Sequence, residues 1–209
     1  MWISQTVYRV MYASLSPRHQ ARASGRALVI DILPTGSRFQ SVPGLQRLPV
    51  AETRGLVGLY LPGPFGPDHI VVKSRAVRGT PTWRPVGVVA HEIGHAFARN
   101  ALSSYEWRRV GELYRARLKT GKFPTPYAAT DVGEYFAESV AAFFDAGHSP
   151  DRSAHVNSAW LARNDPAMAR LLSQIFSRRG PHLRTRPYQW TKALAAAGKG
   201  QRSALLERL

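Results

Sequence analysis

A chain of 209 residues with 29 Lys and Arg against 13 Asp and Glu, a formal charge of +16 at pH 7 and no cysteine, fits one compact domain with a sizeable core. Lack of cysteine excludes disulfides, thiolate metal sites and cysteine nucleophiles, so any metal must be held by His and carboxylate. The charge would attract nucleic acid, anionic membrane surfaces or acidic proteins, and no apolar run reaches the ~20 residues needed to cross a bilayer.

In chain order, the opening segment Met1 to Leu15 places Trp2, Val7, Val10 and Met11 among the polar Ser4, Gln5, Arg9 and Ser14. It lacks the charged start, apolar centre and small-residue cleavage site of a secretion signal. The expectation is a cytoplasmic protein, a protein exported by another route, or the catalytic piece of a larger product. Ala27 to Leu33, Leu56 to Leu61 and His69 to Ser74 are short, apolar and rich in branched residues, as strands are. Gly36 to Pro49 reads as loop. Pro62 to Asp68 is rich in Pro and Gly and suits a hairpin connection beside a cleft.

From Pro85 the pattern turns helical, with Pro85 acceptable at the first helical position and the helix running to about Asn100. A second helix, capped by Ser103 or Ser104, carries Trp107, Val110, Leu113, Tyr114 and Leu118 and stops at Gly121. After the stiff Phe123 to Tyr127 loop, a third helix is predicted over Asp131 to Asp145 and a fourth over Asp165 to Ser177. Weaker helical patterns follow at Gln189 to Ala197 and Gln201 to Leu209. The fold class expected is α+β: a small mixed sheet with a hairpin packed on an active-site helix, then a mainly helical half.

The chemistry centres on His91-Glu92-Ile93-Gly94-His95, an H-E-x-x-H pentapeptide inside the first of these helices. Residues four apart on a helix lie above one another, so His91 and His95 can present two imidazoles to one metal ion. Glu92 is rotated about 100° from His91, beside the metal, where it can act as a general base toward a metal-activated water. Val86, Val88, Val89, Ile93 and Phe97 imply that this helix is buried on much of its circumference, and buried imidazoles need partners. Gly94 would permit close approach of a neighbouring backbone.

A catalytic zinc site takes three protein ligands and leaves one position open. Glu134 and Glu138 lie one turn apart on the third helix amid apolar residues, an expensive arrangement unless a positive charge stands opposite. Glu134 is assigned as the third ligand and Glu138 as the carboxylate that orients a ligand histidine through its other ring nitrogen. A capping box from Asp131 to Glu134 is the alternative, and it would make Glu138 the ligand. His69, His148 and His155 are further candidates.

Tyr127 followed seven residues later by Glu134 in YAATDVGEYFAES, downstream of HEIGH, resembles the catalytic domain of the anthrax-toxin lethal factor family and the related bacterial Pro-Pro endopeptidases. These are gluzincin-type zinc peptidases with a zincin-like fold. The EYFAES segment is similar to the family's glutamate-aromatic-Phe-Ala-Glu signature, and LVGLYLPG with HIVVKS looks like its β-hairpin. The resemblance covers roughly residues 55–146. It implies that His91, His95 and Glu134 bind one Zn2+, that Glu92 is the base, and that Tyr127 supports the oxyanion or protonates the leaving amine. It further implies an extended protein or peptide substrate along Gly58, Leu59 and Tyr60, and a secreted or delivered, toxin-type effector.

These readings divide the chain into an N-terminal region of uncertain role (1–54), a zinc metallopeptidase domain (55–177) and a basic, partly helical tail (178–209). Beyond Pro150, Arg178, Arg179, Arg184, Arg186, Lys192 and other basic residues far outnumber Asp151, Asp165 and Glu207. That excess keeps a second expectation open, a nucleic-acid-binding or virion-associated structural protein whose metal site is not catalytic.

Overall fold

The computed structural model describes residues 3–34, 36–63, 66–77, 86–147, 156–176 and 202–203. Two helices open the chain, α1 (Ile3–Ser14) and α2 (Pro17–Ala23), followed by strand β1 (Leu28–Leu33). A connection with a 3-10 turn at Phe39–Ser41 and a short helix α3 (Val50–Thr53) leads to the hairpin β2 (Gly58–Leu61) and β3 (Asp68–Lys73). Next come α4 (Ser74–Val77), α5 (Gly87–Asn100), α6 (Ser104–Thr120), a 3-10 turn at Tyr127–Ala129, α7 (Val132–Phe143), α8 (Ser158–Asn164) and α9 (Pro166–Ile175). A two-residue strand β4 (Arg202–Ser203) completes the described residues.

The fold is α+β, with a small mixed sheet in the order β2-β3-β1-β4. β2 pairs antiparallel with β3, Tyr60 opposite Ile70, while β1 pairs parallel with β3, Ile30 again opposite Ile70. Apolar residues of both sheet faces are buried. Ile30, Ile70 and Val72 join the main core with α1, α5 and α7, whereas Leu33 and Val71 pack on Phe39, Val42 and Leu45 from the β1–β2 connection.

Three expectations need correction. The residues before the metal helix are not strands alone: α1 buries Val7, Met11 and Leu15 at helical spacing against the same core as α5, and its polar residues interrupt only the sequence, not the apolar stripe. Helix α5 starts at Gly87, not Pro85, with Val86 in the left-handed region at φ 61° and its N–H bonded to the Val77 carbonyl. A branched residue there is strained. Arg202 and Ser203, expected in a helix, instead pair with Ile30 and Asp31, because the free edge of β1 supplies ladder partners that local helix preference cannot. The helix expected at Gln189 to Ala197, and His148 and His155, lie outside the described residues.

Helices α5 and α7 position the site. They touch at Gly94, where an added Cβ would lie 2.9 Å from the Cα of Ala137, so only a residue without a side chain lets the two backbones approach this closely. Ala137 meets α5, and Tyr135, Phe136, Val140 and Ala141 of α7 are likewise wholly buried. Ser103 caps α6 through a complete capping box with Glu106, and Gly121 ends that helix in the left-handed conformation.

Candidate metal centre

On α5, the four-residue spacing brings the Nε2 atoms of His91 and His95 to 3.2 Å from one another. From α7, Glu134 Oε2 reaches 3.0 Å from His91 Nε2 and 3.5 Å from His95 Nε2. Ligands at 2.0–2.1 Å from the centre of a tetrahedron are about 3.3 Å apart, so three donor atoms from two helices outline one face of such a shell. Glu134 Oε2 is buried and, despite its distance from both rings, has no aligned donor. This His91, His95 and Glu134 group can hold a metal ion.

The charge balance agrees. Burial pushes His91 toward the neutral form, but Glu134 and Glu138 outweigh it and raise its pKa to about 10. Burial works against the Glu134 carboxylate too, yet His91 and His95 hold its pKa well below the usual carboxylate range. A cation bound there would face the same two carboxylates that favour the charged form of His91. Glu138, with no exposed surface, places Oε1 3.4 Å from His91 Nδ1, on the side of the ring away from the metal position. That is where an orienting carboxylate belongs.

The capping alternative for Glu134 is resolved by its two ends acting separately. Asp131 Oδ1 accepts from the backbone N–H groups of Gly133 and Glu134, so Asp131 caps α7 alone, and the Glu134 carboxylate turns to the histidines and to Tyr127. The Tyr127 hydroxyl donates to Glu134 Oε1 at 3.0 Å, and its ring lies 6.1 Å from that of His91. Tyr127 is 47% exposed, at the mouth of the site. Burial and the Glu134 charge both raise its pKa, so the phenol keeps its proton. His69 stands apart on β3, with Nδ1 3.7 Å from Asp31 Oδ2.

Glu92 is buried beside the two histidines, and burial raises its pKa above the usual value. It accepts the backbone N–H of Tyr60. Gly58 lies directly against it: a Cβ there would collide with Glu92 Oε1 and Val88 Cγ1. Gly58→Ala is therefore expected to displace the Glu92 carboxylate, lowering any Glu92-dependent turnover by about 10²-fold while leaving metal stoichiometry unchanged, which paired turnover and metal assays would check.

The Lys73 N–H donates to the Val57 carbonyl, and with the β2–β3 register this turns the backbone groups of Val57, Leu59 and Leu61 toward β3. Gly58 and Tyr60 therefore face the open edge of β2, and of the three residues expected along a substrate, Leu59 does not. The Tyr60 ring stacks on His95 with centroids 6.3 Å apart and planes 11° apart. Its hydroxyl donates to Asp68, which has no exposed surface and also accepts from Asn100 of α5 and from the Gly63 N–H. Sequence reasoning missed this brace; a lone Asp opening a strand gives no pattern to find it by.

Comparison with protein-family models, with curated proteins and with solved structures returned no match.

Proposed function

We propose that the protein is a zinc-dependent endopeptidase. The observation that carries this reading is the convergence of His91 Nε2, His95 Nε2 and Glu134 Oε2 within 3.0–3.5 Å of one another, with Glu92 held alongside by the edge strand. Two imidazoles and one carboxylate form the ligand set of a catalytic zinc, which when bound polarises a carbonyl and lowers the pKa of water toward ~7. Glu92 takes the proton of the attacking water and passes it to the departing nitrogen. Tyr127 donates its phenolic hydrogen to the developing oxyanion. The open edge of β2 offers the backbone of Gly58 and the Tyr60 carbonyl to an extended peptide by strand addition.

A cavity of about 470 Å³ beside His95, walled by Tyr60, Pro62, Ala98, Trp107 and Gly133, leaves room for a substrate side chain next to the metal position. The resemblance of HEIGH, Tyr127 and EYFAES to the lethal factor and Pro-Pro endopeptidase family supports the same assignment. Cleavage-site profiling on a proteome-derived peptide mixture tests it. Zinc-loaded protein is expected to cut, chelation to stop cutting, and added zinc to restore it; no cleavage across a broad mixture under zinc would contradict the reading.

A further inference from the structure

Away from the metal centre, a cavity of about 460 Å³ opens between α2, the start of α6 and α9. Four guanidinium groups line it, Arg18 and Arg22 from α2, Arg109 from α6 and Arg170 from α9, against one carboxylate, Glu106. That carboxylate is already saturated. Glu106 accepts from the Ser103 N–H at 2.8 Å and the Ser103 hydroxyl at 2.7 Å, and it lies 3.0 Å from His19 Nε2. Arg18 and Arg22 each reach it at 3.1 Å.

Glu106 therefore engages two arginines without cancelling the cavity's charge, and both side chains keep exposed surface at its wall. Arg109 pairs with Glu112 outside the cavity, and among the described residues Arg170 meets no carboxylate. Tyr105, at 71% exposure the most exposed large apolar residue described, stands at the rim.

We propose that this cavity is a binding site for a phosphate-bearing ligand, with the guanidinium groups of Arg18, Arg22, Arg109 and Arg170 taking the phosphate oxygens. Arginine suits this chemistry because its planar fork donates two parallel hydrogen bonds to such an oxyanion. The volume exceeds what a single phosphate fills and lies within the range of small-ligand sites. The site does not depend on the peptidase reading.

Pyrophosphate titrated into the full chain by calorimetry tests it, at an ionic strength of about 0.15 M, where charges more than about 8 Å away are screened. Saturable binding of one pyrophosphate per chain is expected. Arg109→Gln combined with Arg170→Gln is expected to weaken it about tenfold or more, since each lost charged hydrogen bond is worth roughly that factor. Both side chains are exposed, so the fold should survive. The charge-matched pair Arg38→Gln with Arg54→Gln, exposed in the β1–β2 connection, is expected to leave affinity unchanged. A nucleoside diphosphate that binds more tightly than pyrophosphate, with the gain lost in Tyr105→Ala, identifies the source as a nucleotide; equal binding identifies a simple phosphate compound. Absence of saturable binding, or equal weakening by both arginine pairs, would overturn the proposal.

Discussion

Replacing Glu92 with Gln is expected to lower kcat/KM for peptide cleavage by about 10³-fold, the range lost with a positioned general base, while zinc still binds at one per chain. The amide has the shape of the carboxylate and can still accept the Tyr60 N–H, so Gly58, β2 and the two histidines have no reason to move. Only the proton acceptor is gone. Because Glu92 lies beside the ligand group without belonging to it, metal affinity and turnover should separate in this variant. Steady-state kinetics with zinc quantified in the same preparation would show it; undiminished turnover would remove Glu92 from the mechanism.

The largest stability loss is expected in a buried cluster outside the candidate ligand group. Asp165 is buried at the junction of α8 and α9, where it accepts from the Tyr135 hydroxyl, pairs with Arg117 at 2.8 Å and caps α9 through the Met168 N–H at 3.2 Å. Asp165→Ala strands a phenol whose ring is wholly buried, leaves the Arg117 charge without its partner and removes a helix cap. Breaking a buried pair costs about 3–5 kcal/mol and a cap about 1. Arg117 retains 16% exposure, so water recovers part of that charge cost and the total is set at about 3 kcal/mol. At this chain length that corresponds to roughly 6–12 °C in Tm. Calorimetric melts of both proteins would measure it, and a change under about 1 kcal/mol would mean that the cluster is not a structural tie.

The metal helix and its partner were legible because their constraints are local. Spacing of four fixes which faces His91 and His95 share, and two carboxylates in an apolar helix demand a counter-charge wherever that helix packs. Ser103 or Ser104, and Gly121, marked the ends of α6 by chemistry confined to a few residues, and the structure places the cap at Ser103. Long-range pairing left no such mark. β1 and β3 are parallel neighbours although residues 34–67 separate them, and nothing in either strand names its partner. Helix α1 was hidden by Ser4 and Ser14, polar yet buried; the Ser14 hydroxyl returns its hydrogen to the Val10 carbonyl inside the helix, which makes a polar residue tolerable there. Helix α8 had a readable start, since Asn157 caps it through the Trp160 N–H, but its seven residues are too few to show a period.

The role of Gly58 also needed coordinates. As part of a strand it could be read as substrate contact, whereas its bare Cα is what admits the Glu92 carboxylate beneath β2. The Tyr60 stack on His95 and its tie through Asp68 to Asn100 join the hairpin to the C-terminal half of α5, so the open edge strand and the candidate ligand group form one unit.

Zinc titration of the purified chain, with wild type, Glu134→Ala and Glu138→Ala compared at one pH, tests the convergence of the two helices most directly. Wild type is expected to bind one zinc, Glu138→Ala to bind it about 10–100-fold more weakly as the loss of an orienting carboxylate does, and Glu134→Ala to lose more than that because a ligand itself is gone. Wild type that binds no stoichiometric zinc, or Glu134→Ala that binds it as tightly as wild type, would contradict the account.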